Sequence, residues 1–506
     1  MRFSVFFIAT YLFAQFGAPT NQGQPPPANQ LPLSGRTTQT GSVTATEAPV
    51  PGTTTSVDTI NPQIQVQGPY TGSAEGRKPF SGKLSLRDAM DRALEYNLGS
   101  ISLSEAVRQS RGELKVVRSE LLPNLNGYLS ETVEQLNLRA AGIRFNIPIP
   151  GIAIPSIVGP FNYFDLRATL SQTVADFTAW NNHRSAEESL RANQLSARDA
   201  RDLVVLAAGG AYLQVIAAAA RVQSAQAQLD TAKALYSQTS QQHAVGLVAQ
   251  IDVNRSRIQM LTEQLRLTSL ENDLAKQKIN LARITGLPPN NNYDLADDVP
   301  FAPVPAISLE DALKQAFAQR SDLKSAEAQV RAAERARSAA RDERLPSLSL
   351  SANYGAIGEN PANAHGTFGV TGTLNFPIWQ GGRIEGDIEQ ADAALAQRQA
   401  ELADLRGRVE SDVRDAYLDL DAAKNQVEVA QQNLQVARQN LDLTRQRYNA
   451  GVADNVDVVQ SQESVATADL DYINSVFAHN VAKLSLARAM GQAAGNWPQF
   501  LEVRQK

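Results

Sequence analysis

The sequence predicts a mainly α fold with a small antiparallel β part, built twice over. Three observations predict it. Matching segments recur in the same order in both halves of the chain. Each half contains a proline-free stretch long enough for a very long helix, Asp176 to His243 and Gly382 to Asn449. Each half also contains short stretches that alternate apolar and polar residues, the mark of strands with one apolar and one polar face.

The chain has 506 residues, with 47 Lys+Arg against 52 Asp+Glu. That is more than one compact core usually holds, and the slight negative charge without a basic block argues against nucleic-acid binding. It contains no Cys, which excludes disulfides, thiol nucleophiles, Cys-ligated metals and a lipid anchor on an N-terminal Cys. Residues 1–18 read as a signal peptide. Arg2 is the charged start, Val5–Phe13 are an apolar core too short to span a bilayer, and Ala18 is a candidate cleavage point. No further apolar run of membrane-spanning length is expected. Residues 19–80, rich in Pro, Thr, Gln, Gly and Ser, read as a disordered leader that cannot bury enough apolar surface to offset chain entropy.

The duplication sets the domain plan. "LSLRDAMDRALEYN" from Leu84 matches "ISLEDALKQAFAQR" from Ile307, and "SELLPNL" from Ser119 matches "DERLPSL" from Asp342, both 223 positions on. Downstream the offset is 205: Tyr212-Leu213 with Tyr417-Leu418, Gly246 with Gly451, Asp252 with Asp457, and "LARITG" with "LARAMG". The longer first copy absorbs the difference between Leu125 and about Leu170. The expected layout is a first repeat at 81–290, a linker at 291–306, a second repeat at 307–495 and a tail at 496–506.

Each repeat opens with a helical stretch, such as Leu323–Arg344, that stops at a Leu-Pro because proline disfavours helix in the residue before it. Strands follow. Phe368, Val370, Gly372, Leu374 and Phe376 share one face of "TFGVTGTLNF", and Phe164, Leu166, Ala168 and Leu170 share one face of "FDLRATLS"; "LSLSANY" from Leu348 alternates likewise. In the first repeat, Pro148, Pro150, Pro155 and Pro160 rule out a central strand, so residues 139–162 are expected to form a long loop.

The long helices come next. In the second copy Leu402, Leu405, Val409, Val413, Ala416, Leu420, Ala423, Val427, Ala430, Leu434, Ala437 and Leu441 form a seam in steps of three and four, with one four-four stutter. Val222, Ala225, Leu229 and Ala232 repeat it in the first. Each long helix ends in a glycine tip, "HAVGLVAQID" at His243–Asp252 and "YNAGVADNVD" at Tyr448–Asp457, and a shorter helix returns, over about 252–285 and 457–490. Gly246 and Gly451 suit a helix C-cap. Asp252 and Asp457 fall in the first turn of the returning helix, where a carboxylate favours the dipole.

Catalytic signatures are missing: there is no GxxxxGK[ST], GxSxG or HExxH, and the four His are scattered. The expectation is a non-enzyme that needs no cofactor and no metal. Four strands per chain cannot close a membrane barrel, whose smallest forms have eight, so closure requires more than one chain; three would supply twelve strands around water. The alternative is a periplasmic or surface coiled-coil protein with a structural or adhesive role and no pore, which would not need the amphipathic strands.

The doubled plan of helix, Leu-Pro, strand pair and long helix resembles the TolC family of outer-membrane efflux proteins. "VGL…IDV" (Val245–Leu247, Ile251–Val253), "YNAG…VDV" (Tyr448–Gly451, Val456–Val458) and "RSDLKSAEAQVRAA" carry the resemblance, which covers about residues 84–495. It implies a homotrimer in which a 12-stranded outer-membrane β-barrel, embedded in lipid, continues into a 12-helix periplasmic α-barrel. It implies an exit duct of a tripartite efflux or type I secretion system. The tips would meet a periplasmic adaptor (a membrane fusion protein), which links the duct indirectly to an inner-membrane transporter of RND, ABC or MFS type. Adaptor docking would fall on Gly246, Leu247, Val248, Gly451 and Val452, and the pore entrance on Asp457, Gln460, Tyr448 and Asp252. Asp457 matches a ring position of the family. Gln460 stands where some members have a second Asp, and Ala453 where some have Arg.

Overall fold

A computed structural model describes residues 68–74, 80, 82–140, 142, 156–289, 293–302, 307–501 and 504–505. The expected signal peptide and most of the leader lie outside these residues, as do Pro148, Pro150 and Pro155. In chain order the main elements are β1 (Lys83–Leu84), α1 (Leu86–Tyr96), α2 (Leu98–Ser119), β2 (Asn124–Asn137), β3 (Ile157–Ala175), α3 (Phe177–Ala244) and α4 (Gln250–Thr285). After β4 (Asp294–Leu295) and β5 (Asp297–Asp298) the plan repeats as α5 (Leu309–Gln319), α6 (Ser321–Asp342), β6 (Ser347–Gly358), β7 (His365–Asn375), α7 (Arg383–Asn449) and α8 (Asn455–Ala489). Helix α9 (Ala493–Asn496) and β8 (Arg504–Gln505) complete the chain. The mainly helical plan with a smaller antiparallel β part is the one the sequence predicts.

The repeats start with the same chemistry. Ser85 caps α1 by accepting from the Asp88 N–H, and Ser308 caps α5 by accepting from the Asp311 N–H. Each repeat opens with two helices, and the expected stretch Leu323–Arg344 corresponds to the second of its pair, α6. The break falls at Asn97 in the first, and at Arg320 in the second. Asn97 donates through Nδ2 to Tyr70 O at 2.7 Å and accepts from the Gly99 N–H at 2.9 Å. Arg320 instead forks onto Asp322. Helix α6 ends at Asp342, slightly before the expected Arg344.

One compact unit comprises Lys115–His183 and Ser338–Ile388. It holds an antiparallel sheet in the order β2-β3-β6-β7. Its register aligns apolar rows such as Leu125–Leu170–Ala352–Val370 and Gly127–Ala168–Tyr354–Phe368. The opposite face carries Asn126–Thr169–Asn353–Gly369, Tyr128–Arg167–Gly355–Thr367 and Ser130–Asp165–Ile357–His365. On the apolar face Leu125 is 71% exposed, Tyr354 73% and Phe368 81%.

Pro160 corrects the sequence reading. It was expected in a loop, yet β3 begins at Ile157 and runs through it. The β2 register shifts between Glu134 and Leu136, so Gly159 and Pro160 together oppose the single residue Gln135. At such a bulge the missing proline N–H costs no ladder bond. Pairing of β3 with β6 begins only at Phe164, so that side of Pro160 carries no ladder either.

The second unit holds the remaining described residues up to Leu114, Arg184–Arg337 and Glu389 onward. The predicted seam is buried in it: Leu405, Val409, Val413, Ala423, Val427 and Leu434 on α7, with Ala225, Leu229 and Ala232 on α3. Around α3 gathers a larger core of Leu84, Leu86 and Met90 from β1 and α1, Val205, Leu206 and Tyr212 from α3, Leu281 from α4 and Leu484 and Met490 near the end of α8. Tyr212 donates through its hydroxyl to Leu84 O at 2.8 Å. The sequence reading expected no membrane-length apolar run after residue 18, yet α3 contains one by length and composition, 72% buried within the fold. Its burial marks it as a core helix.

Helix α8 also fastens the inter-repeat linker. Asn480 donates to Val299 O at 3.0 Å, Lys483 donates to Ala302 O, and the His479 ring lies 4.8 Å from that of Phe301. Burial, reinforced by Lys483 and Lys424, pushes His479 down to about 3 from the ordinary 6.5. The folded ring therefore stays neutral while the unfolded chain takes up a proton below 6.5. This contribution is fully present above pH 6.5 and is lost as pH falls from 6.5 toward 3. His479→Gln should flatten the acid limb of stability in that window, by up to about 1.4 kcal/mol per pH unit. Thermal melts followed by circular dichroism at pH 7, 5.5 and 4 check this, and parallel curves for both proteins would refute it.

Candidate functional site: the paired helix tips

The residues expected at the two tips come together in the fold. Helix α3 ends when Gly246 adopts φ 79°, and α7 ends when Gly451 adopts φ 73°. Both tips close with the same hydrogen bonds. The Gly246 N–H donates to His243 O at 2.9 Å and the Leu247 N–H to Gln242 O at 2.9 Å. The Gly451 N–H donates to Tyr448 O at 3.0 Å and the Val452 N–H to Arg447 O at 2.9 Å. This is the left-handed cap that satisfies the last carbonyls of a helix and favours glycine. The returning helices end alike, at Gly286 and Gly491, with φ 70° and 73°.

The caps leave apolar side chains in water. Leu247 is 75% exposed and Val452 67%, with Val245 beside them, while Val248 is half-buried. A Cβ at Gly246 or Gly451 would meet nothing within 4 Å, so the surface there is bare. Contiguous exposed apolar patches are where proteins commonly associate.

The two tips clasp each other. The Tyr448 hydroxyl donates to Gln242 Oε1 at 3.0 Å, Gln238 donates to Asn449 Oδ1 at 3.1 Å, and Asn455 donates to Asp252 O at 3.1 Å. Asn455 is 4% exposed. Asp252 faces Arg255 at 3.5 Å. Asp457 lies exposed in the first turn of α8, its carboxylate accepting from the Asp454 N–H at 3.4 Å, and Gln460 is exposed one turn on. His243 is engaged rather than solvated: its Nδ1 bonds Val248 O at 2.9 Å.

Sequence reasoning missed Asn455, Gln238 and Gln242, because their role depends on which hairpin faces which. It also missed Glu263 on α4, 2% exposed, held by Gln259 at 2.9 Å and Arg266 at 3.1 Å. Glu263 and Gln259 border a cavity of about 190 Å³ between α3, α4, α7 and α8 that Gln228, Gln462 and Asp469 also line. Burial raises the Glu263 carboxyl above its usual range, partly offset by Arg266.

Paired long helices with capped, clasped tips, together with a four-stranded sheet whose apolar face lies bare, define an outer-membrane protein. The chain belongs to the outer membrane efflux protein family, whose model matches residues 102–287 and 312–492, one segment in each repeat. Outer membrane protein TolC of Escherichia coli is 25% identical over 342 residues, 64% of this chain and 68% of that protein. The pyoverdine export outer membrane protein OpmQ of Pseudomonas aeruginosa is 25% identical over 430 residues, 82% of this chain and 86% of its own length. Among solved structures, the Campylobacter jejuni CmeC outer membrane channel matches the fold with a TM-score of 0.70 at 17% identity, covering 89% of this chain and 95% of that one. The protein is an efflux channel of the outer membrane and not an enzyme.

Proposed function

We propose that three copies assemble into a passive exit duct, with twelve strands closing a barrel in outer-membrane lipid and twelve long helices forming a periplasmic tunnel. The observation that carries the reading is the sheet. Among the described residues, strands β2 and β7 each have a neighbour on one side only, and an open edge cannot face hydrocarbon. The bare apolar face would meet lipid and the Ser/Thr/Asn face water.

The tips would then be the docking surface for a periplasmic adaptor, through Gly246, Leu247, Val248, Gly451 and Val452. The adaptor would couple the duct to an inner-membrane transporter of RND, ABC or MFS type, which supplies the energy. Asp457, tripled near one axis, would line the entrance with Gln460 and Asp252, and Tyr448 would brace it. Relatives at similar identity are named for pyoverdine export, toluene efflux and antibiotic efflux. That spread favours a duct that leaves cargo choice to its partners.

Mass measurement of the protein extracted in mild detergent tests the assembly. The expected result is the mass of three chains. A stable, monodisperse monomer would overturn both the barrel and the tunnel.

A further inference from the structure

We infer that Asp165 and Arg167 form a masked selectivity element on the inner wall of the barrel, with Asp165 hiding the charge of Arg167 from passing ions. The inference rests on the trimeric barrel proposed above. Apart from Glu134, two rows beyond Ser130 on β2, the polar face of the sheet is otherwise built from residues without a fixed charge. In the cross-strand rows from Asn124–Ser171–Ser351–Thr371 to Ser130–Asp165–Ile357–His365, these two carry the only fixed charges. Within those rows the other residues are mostly Ser, Thr and Asn, which have little preference between ions, so the ionised pair sets the local field near the hairpin end of β6 and β7.

The pair is built so that it lies against the wall. Arg167 donates through Nε to Asp165 Oδ1 at 2.6 Å and through Nη2 to Oδ2, a two-point fork. Asp165 is 1% exposed, while the Arg167 side chain keeps 26% of its surface in solvent. The arginine stem lies across Gly355 of the next strand. A Cβ at Gly355 would sit 2.4 Å from Arg167 Cγ and 2.1 Å from Leu166 O. Only glycine leaves room for the side chain to lie there. The carboxylate is thus covered, the guanidinium is half-turned to water, and the two charges cancel at any distance beyond a few ångströms.

Removing the carboxylate alone uncovers one positive charge per chain, three around the lumen. Rings of charged side chains set the ion preference of a pore, and three charges within a screening length of about 8–10 Å of the permeating ion act on every passage. The chemistry recognised is that of small inorganic cations and anions and of charged groups on larger solutes.

Reversal potentials of the intact channel in planar bilayers under a KCl gradient test this. Asp165→Asn should lower the ratio of potassium to chloride permeability by about twofold or more. The double variant Asp165→Asn/Arg167→Gln, which carries no charge, should return the ratio to the parent value. Arg167→Gln instead uncovers the carboxylate and should raise the ratio; it serves where Asp165→Asn does not assemble. Tyr128 stands opposite Arg167 in the register, and the chain has no native Cys. In Tyr128→Cys the new thiol should react with a cationic, water-soluble methanethiosulfonate and reduce the current. If the thiol responds while Asp165→Asn, or Arg167→Gln where that variant serves, keeps the parent ratio, the pair is a register clamp only, and the inference falls while the channel stands. If the thiol in inserted protein does not react, this face is not the lumen, and the barrel reading falls with it.

Discussion

Arg320→Met should destabilise the helical unit by about 3–5 kcal/mol, the cost of stranding buried charge when one partner of a buried pair is removed. Arg320 is 3% exposed. It donates through Nε and Nη2 to Asp322 at 3.0 and 2.7 Å, and through Nη1 to Asp412 on α7 at 2.7 Å. Burial pushes the Asp322 carboxyl up, but the hydrogen bond and charge of Arg320 outweigh it and hold the group below the usual carboxylate range. Methionine fills similar volume, so the loss is of charge pairing rather than of packing. Arg320→Lys should recover only part of it, since an ammonium cannot serve both carboxylates with a fork. The midpoint of denaturant unfolding reads the effect, and a loss below about 1 kcal/mol would show the network to be dispensable. Because the folded Asp322 pKa is depressed, its stabilisation is present above pH 3.8 and fades as pH falls through the lower folded value. That acid dependence should disappear in Arg320→Met.

The same residue shows where sequence reasoning stops. Positions 97 and 320 are equivalent in the duplication, and both mark the break between two short helices. Neither position is proline or glycine, so no local signal announces the break. Asn97 is held by Tyr70 and Gly99, and Arg320 by Asp322 and Asp412. Those partners, two of them distant in sequence, are found only once the helices are packed. The long helices were legible because heptad spacing is a local property, and the seam from Leu405 to Leu434 is buried as its spacing predicts, with Leu420 half-buried. The strands were legible from alternation, except for Pro160. A bulge is defined by the partner strand, and nothing in residues 157–162 names Gln135 as that partner. At the tips the glycines were legible, since a left-handed cap leaves few other choices. The clasp of Tyr448, Asn449 and Asn455 onto the first hairpin was not, because it joins residues more than 200 positions apart.

Valine at either tip glycine should abolish adaptor docking, lowering crosslinking to a cognate adaptor by about tenfold or more. The reason is backbone conformation rather than space. A Cβ at Gly246 or Gly451 meets nothing within 4 Å, but φ near +75° is costly for any β-branched residue, by about 1–3 kcal/mol. The tip must then open, breaking the bonds from Leu247 to Gln242 and from Val452 to Arg447 and tilting Leu247 and Val452 away from their places. Asparagine separates conformation from surface. It tolerates the left-handed region, so Gly246→Asn and Gly451→Asn should keep the tip closed while adding a polar side chain to the bare surface. If a partner helix packs there, the Asn variants fold normally and still dock poorly. If the glycines serve only as caps, the Asn variants dock like the parent. Asp457→Ala acts on a different quantity. It loses the acceptor of the Asp454 N–H but leaves Leu247 and Val452 untouched. Docking should therefore persist while single-channel cation preference falls, because three carboxylates leave the entrance. Parent-like docking in all four glycine variants, together with parent-like selectivity in Asp457→Ala, would reduce the tips to helix caps and move both the docking surface and the entrance elsewhere on the protomer.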